Sequence, residues 1–375
     1  MTKIGFDSEK YVKEQTEFIL DRVKNSKGRL YIECGGKLLY DLHASRVLPG
    51  FDPNNKMKVF QYLKEHLDII ICIYAGDIEK RKMRGDFGIS YDADVIKMID
   101  DFARYGIKCN KVVITRFDGQ ASALLFKEKL ERRGVNVYIH TATPGYPSNI
   151  DLVVSDQGYG KNEYIPVDAP VVIVNAPGPG SGKLATCLNQ MYHEFKMGQN
   201  PHYSKLETFP IWNLPLEHPV NIAYEAATVD LGDVNLIDHF HLQAYNKLTV
   251  NYNRDLEAYP LLKKIIEKMS GEECPYKSPT DMGVNRCGYG ITDDEACREA
   301  GNQEIIRRYF KTKTDYAAGL CDDETVTRMI SIMDRTGLKP EMRPVVEPAH
   351  QELQKAIEGG KGKDGTVCAA AMELP

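Results

Sequence analysis

The stretch "VVIVNAPGPGSGK" at residues 171–183 is the place in this chain where residue types and spacing suit phosphate chemistry. An apolar run enters a loop of alternating glycine and proline, and the loop ends on a lysine. The phosphate-loop pattern G-x-x-x-x-G-K-[ST] stands between a strand and a helix, and here it anchors on Gly182 and Lys183. Gly178, Gly180 and Gly182 let backbone amides turn inward around Ser181, the helix start adds its positive dipole end, and Lys183 can reach outer phosphate oxygens. Two positions depart from the pattern. The first glycine falls on Pro177, and Leu184 stands where a hydroxyl would hold Mg²⁺, so dependence on Mg²⁺ stays open, with Thr186 and Asp230 as substitutes. The expected ligand is ATP or another phosphorylated small molecule. A tight Gly/Pro turn with an exposed lysine is the other reading of the same residues.

Three further loops carry candidate chemistry. "GDIEKRKMRGDFG" places Lys82 and Arg84 after a buried strand, where they could clamp an anionic substrate; Asp77, Glu79 and Asp86 would equally make it a solvated charged loop. "ITRFDGQ" offers Arg116 to orient a phosphate and Asp118 as a general acid or base, or else a surface arginine and a helix cap. "SPTDMGVNRCGYG" contributes Asp281 as a catalytic candidate and Asn285 and Arg286 as substrate contacts, unless it is only a linker between helices. No zinc or other metal site is expected. His239 and His241 are two residues apart and leave a helix in different directions, and "HEFKM" has Met197 where a zincin needs its second histidine. No G-x-S-x-G nucleophile motif is present.

These loops must be held by regular elements. "RLYIECGG", "DIIICIYAG", "NKVVITRF", "VNVYIH", "IDLVVSD" and "APVVIVNAP" read as strands at 29–34, 68–75, 110–116, 135–140, 151–154 and 171–175. Helical patterns such as "NKMKVFQYLKEHL" and "DADVIKMIDDFARYG" separate them. That order predicts an α/β, doubly wound, mainly parallel sheet of Rossmann-like or P-loop-like kind, whose ligands bind beyond the carboxyl ends of the strands. "QNPHYSKLETFPIWNLPLEHP" reads as turn-rich, and mostly helical periodicity follows. The division expected is an α/β body over 1–225, a helical region over 226–362, and the start of a further C-terminal α/β domain at 363–375.

The chain has 375 residues, 42% hydrophobic and 27% charged, with a formal net charge of -5. That balance favours neither a nucleic-acid partner nor a membrane surface. No apolar run suits a membrane span, the N-terminus lacks a signal-peptide core, and nine cysteines without a Cys-x-x-Cys pair fit reduced thiols. The expectation is a cytoplasmic protein with a small phosphorylated ligand as its partner; a homo-oligomer is compatible with this.

The core Pro179–Lys183 resembles the P-G-x-G-K of small P-loop kinases such as adenylate kinase. Together, "FPIWNLPLEHPVNIAYEAATVDLGDVN", "VVIVNAPGPGSGK" and "SPTDMGVNRCGYG" resemble one bacterial family, domain of unknown function 1846. The resemblance covers the whole chain and implies a longer protein with a C-terminal α/β domain. Some members carry the label ATP-dependent peptidase, but no metal or nucleophile motif here supports the peptidase half. The resemblance supplies no reaction. It leaves a phosphoryl-transfer or NTP-dependent enzyme, a non-catalytic nucleotide or metabolite sensor, and an assembly protein with a structural glycine loop.

Overall fold

A computed structural model describes residues 3–26, 28–85 and 87–362. Its strands are β1 (Leu30–Cys34), β2 (Leu67–Tyr74), β3 (Met83–Arg84), β4 (Ile89–Ser90), β5 (Lys111–Thr115), β6 (Asn136–Ile139), β7 (Val171–Asn175), β8 (His202–Leu206), β9 (Asn235–Ile237) and β10 (Val250–Tyr252). Six of them form one sheet in the order β6-β5-β2-β7-β1-β8, and each neighbouring pair is parallel.

Alternation along the central strands feeds two cores. Ile69, Ile71 and Ile73 of β2 and Val171 and Ile173 of β7 enter one apolar cluster; Ile70, Cys72, Val172 and Val174 enter the other. Strands buried on both faces need apolar residues at every position, which is why β2 and β7 read as unbroken apolar runs. Helices Ser8–Ser26, Asn55–Leu63, Tyr91–Arg104 and Ala121–Glu131 cover the first face. Helices Lys183–Lys196 and Asn253–Ser270 cover the second. The fold is therefore α/β and doubly wound.

The chain leaves β1 toward the first face and β7 toward the second, although β1 and β7 are neighbours. Their loops diverge and open a crevice, the position where such sheets bind ligands.

Two segments differ from the sequence reading. Residues 151–154 are not a strand: Ile150–Val153 is one helical turn, capped by Asn149 accepting from the Leu152 amide at 3.1 Å. A short apolar run looks the same in either state, and the cap decides it. Conversely, β8 lies inside the turn-rich stretch. It pairs with β1 from Leu30↔His202 to Cys34↔Leu206. Its sequence HYSKL looks polar because it is the sheet's edge and its lysine serves the crevice.

Beyond residue 219, helices Asp294–Ala317 and Asp323–Thr336 send Ile305, Ile306, Met329 and Met333 into the first core. Helix Asp294–Ala317 lies close on Pro219–Ala227: a Cβ at Gly301 would fall 2.7 Å from the Pro219 backbone. No helix among the described residues is long and apolar enough to cross a membrane. The expected further domain at 363–375 lies outside the described residues.

Candidate functional site

The crevice is a cleft of about 780 Å³ at the carboxyl ends of β1, β7 and β8, a volume ordinary for small-molecule sites. The loop after β7 forms its floor. Asn175 closes that strand and is buried; its side-chain oxygen accepts from the Ala176 amide, which leaves its Nδ2 donor without a partner at the cleft. A buried donor left unpaired is costly unless something accepts from it.

The glycines that follow have distinct reasons. A Cβ at Gly178 would fall 2.2 Å from the Tyr91 hydroxyl, so packing excludes any side chain there. Gly180 and Gly182 adopt φ of 73° and 95°, the left-handed region where glycine costs least. The loop is braced from outside the cleft. The Ser181 hydroxyl donates to the Gly178 carbonyl at 2.9 Å, the Thr115 hydroxyl donates to the Ser181 carbonyl at 2.7 Å, and Arg116 donates to the Gly180 carbonyl. Helix Lys183–Lys196 then begins with no side-chain cap, and its first helical bond runs from the Thr186 amide to the Gly182 carbonyl at 2.9 Å. The amides of Lys183, Leu184 and Ala185 have no partner among the described residues. Free first-turn amides and the dipole end favour an anion.

Lys183 is not the exposed lysine that a simple turn would carry. Its side chain is 14% exposed, and its Nζ lies 3.9 Å from Glu33 Oε1 at the end of β1. Thr186 is buried and accepts from the Cys72 thiol at 3.3 Å, so it faces the second core rather than the cleft. Asp230 does line the cleft.

The opposite wall is built by β1, β8 and the start of helix Asn253–Ser270. Glu33 and Lys205 are register partners on β1 and β8. Lys205 Nζ reaches Asp255 at 2.7 Å and Glu207 at 3.1 Å, and the Tyr203 hydroxyl donates to Glu33 at 2.9 Å. Burial works against the Lys205 ammonium, yet Glu207, Asp255 and Glu33 together outweigh it and hold its pKa well above the ordinary lysine range. Burial pushes the Glu207 carboxyl up against the pull of Lys205, with Asp255 and Glu33 adding to the rise. Arg254 and Asp233 pair at 2.6 Å beside them.

Of the residues singled out from sequence, Gly178, Gly180, Lys183 and Arg84 line this cleft. Arg84 does so from β3, paired with Asp94 at 2.7 Å. Ser181 and Gly182 form the loop beneath it. Arg116 turns away at φ 49° and lies 3.6 Å over the Tyr74 ring, so it supports the loop from behind. Asp118 is exposed and is not among the residues lining the cleft; its amide donates to the Gln120 side chain at 2.8 Å. Lys82 pairs with Asp77 at 3.6 Å and lies over the Tyr91 ring. Asp281 accepts from the Tyr245 hydroxyl at 2.9 Å and the Lys277 amide at 3.0 Å. Asn285 meets the site indirectly, by accepting from the Glu207 amide at 2.7 Å. Arg286 stacks between Phe18 and Tyr289. Sequence reading passed over Glu33, Asn175, Lys205, Glu207 and Asp255. The available signal was a polar residue at the carboxyl end of a buried parallel strand, which Glu33 and Asn175 both are. No group of three or more His, Cys, Asp or Glu among the described residues is arranged to hold a metal ion.

Fold and site together define a doubly wound α/β protein with a cleft at the switch point of its sheet, lined by charged side chains among apolar ones. The chain belongs to the family described as "Domain of unknown function DUF1846, N-terminal", whose model matches residues 4–337. A UPF0371 protein of Clostridium tetani (strain Massachusetts / E88) is 60% identical over 372 residues, covering 99% of this chain and 74% of the relative. A UPF0371 protein of Clostridium botulinum (strain Langeland / NCTC 10281 / Type F) gives the same identity and coverage. A Fusobacterium nucleatum relative, UPF0371 protein FN1121, is 59% identical over 376 residues, covering 100% of this chain and 74% of its own length.

Proposed function

We propose that the cleft binds a phosphorylated small molecule, a nucleotide or a phosphorylated metabolite, with a phosphate on the loop after β7. The observation that carries this reading is a set of unspent donors at one end of the cleft. Asn175 Nδ2 and the first-turn amides of helix Lys183–Lys196 all lack acceptors among the described residues, and Lys183 lies among them. Donors of both kinds are what a phosphate dianion satisfies. The paired carboxylates and cations of the opposite wall suit the polar remainder of such a ligand.

Melting-temperature shifts and calorimetry over ATP, ADP, inorganic phosphate and sugar phosphates test the reading. At least one should bind, and Lys183→Ala should weaken it by about 10-fold or more, because a charge-assisted hydrogen bond contributes ~1.5–3 kcal/mol. The variant should fold normally, since its pair with Glu33 is long and Tyr203 still bonds that carboxylate. Absence of binding across the panel, or unchanged affinity in Lys183→Ala, refutes it. Release of inorganic phosphate from a bound nucleotide would separate an enzyme from a sensor.

A further inference from the structure

Lys56 has no ion-pair partner among the described residues. It sits on helix Asn55–Leu63, is 3% exposed, and its ammonium donates to the Gly35 carbonyl at 2.8 Å. That is its one bond among the described residues, so two of its three protons have no acceptor there. None of the charged groups nearby pairs with it: Glu207 pairs with Lys205 at 3.1 Å and Glu33 accepts from the Tyr203 hydroxyl at 2.9 Å. Asp41 accepts from the Ala44 amide at 3.2 Å and the Thr208 hydroxyl at 3.5 Å. Cys34 feels both Lys56 and Lys183, but burial dominates and pushes its thiol up to about 11, so it is no thiolate counter-ion at neutral pH. A buried cation without a partner is strongly disfavoured, and here it lies against a loop that lines the cleft.

That loop, Gly35–Gly36 after β1, is shaped around the ammonium. Gly36 has φ of 67°, and a Cβ there would fall 2.9 Å from Lys56 Nζ. A Cβ at Gly35 would fall 2.4 Å from Glu207 Oε1. The Gly36 amide has no partner among the described residues. β1 pairs with β7 in register, Glu33 opposite Val174, so this loop leaves the sheet beside the loop that ends at Lys183. Neighbouring strands lie about 4.8 Å apart. Past the strands the two loops diverge, but both line the same cleft, so two phosphates of one molecule can engage both.

We infer that the cleft is built for a diphosphate-bearing ligand. One phosphate lies on the Gly178–Lys183 loop, and the second lies on the Gly35–Gly36 loop with Lys56 as its buried counter-charge. This rests on the phosphate reading above for the first position and adds the second. It narrows the ligand class to nucleoside di- or triphosphates and other diphosphate esters.

Inorganic pyrophosphate and orthophosphate are the probes, measured by calorimetry and thermal melting on the full chain. The wild type should bind pyrophosphate at least ~10-fold tighter than orthophosphate. Lys56→Met keeps the side-chain length and removes the charge. It should erase that preference, leave orthophosphate affinity within about 2-fold, and melt no lower than the wild type without ligand, because an unpaired buried charge is gone. Lys56→Gln provides the same comparison if the methionine variant folds poorly. A wild type without preference for pyrophosphate, or a Lys56 variant that keeps it, overturns the diphosphate inference. If orthophosphate binding is then still lost in Lys183→Ala, the single-phosphate reading stands; if neither anion binds the wild type, the diphosphate inference falls, and the phosphate reading falls with it only if ATP, ADP and the sugar phosphates also fail to bind.

Discussion

Two buried charge clusters in this molecule are built in opposite ways. On helix Asp294–Ala317, Glu304 is 2% exposed and lies among His43, Arg46, Arg307 and Arg308, with the arginine bonds at 2.6–2.9 Å. Burial would raise that carboxyl, but Arg307, His43 and Arg308 overcome it and hold it far below the usual range. In the cleft, Glu207 shares Lys205 with Asp255, and burial keeps its carboxyl raised. Glu304 has more donors than it can use and does not line the cleft. Its bonds tie helix Leu42–Val47 to helix Asp294–Ala317. Glu207 has fewer donors than its charge calls for and borders open volume. The first arrangement spends its electrostatic energy on folding. The second leaves some unspent, as sites that bind and react tend to do.

The comparison breaks most visibly at Glu304. Glu304→Gln removes one negative charge from among three guanidiniums. It should cost about 3 kcal/mol by chemical denaturation, the low end for a broken buried pair because Arg46 and Arg307 are about a third exposed. Pyrophosphate affinity of the folded protein should not change. A loss below experimental error would mean that the cluster does not hold helix Leu42–Val47 to helix Asp294–Ala317. The pH dependence is the next test. The folded-state pKa of Glu304 is depressed, so its contribution is present above its ordinary value of 4.5 and is lost as pH falls below it. His43 is likewise lowered by burial, so stability already declines as pH falls below 6.5, in wild type and variant alike. Urea midpoints from pH 5 to 3 should fall more steeply for the wild type than for Glu304→Gln.

What could be read from sequence follows the range of the interaction. The unbroken apolar runs of β2 and β7 and the glycine loop between β7 and its helix are local patterns, and they stand where the spacing put them. Strand β8 was hidden because its pairing partner, β1, lies some 170 residues away, as the Leu30↔His202 register shows. Its sequence HYSKL offers no apolar run, and Lys205 reaches the cleft only because β8 pairs with β1. Lys56 looks like any charge on an amphipathic helix until packing buries it beneath Gly35. Arg116 is the reverse: a strand-end arginine suggests phosphate, but its positive φ sends it over Tyr74. Side chains whose role depends on which distant element covers them carry little local signal.

The smallest expected effect is the most specific to the cleft. A carboxyl raised in the folded state contributes stability that is full below its ordinary value of 4.5 and lost as pH rises through the folded value. Ionised Glu207 therefore works against folding at neutral pH, where Asp255 and Glu33 share its surroundings and Lys205 alone opposes them. Glu207→Gln keeps the shape and removes that charge, and Lys205 retains Asp255 at 2.7 Å. The variant should be modestly more stable than the wild type at pH 7 to 8, by well under the loss expected at Glu304. The gap should narrow toward pH 4. Urea midpoints across that range decide the matter. If Glu207→Gln is the less stable protein at each pH, Glu207 belongs with Glu304 as part of the framework, and the distinction between the two clusters fails.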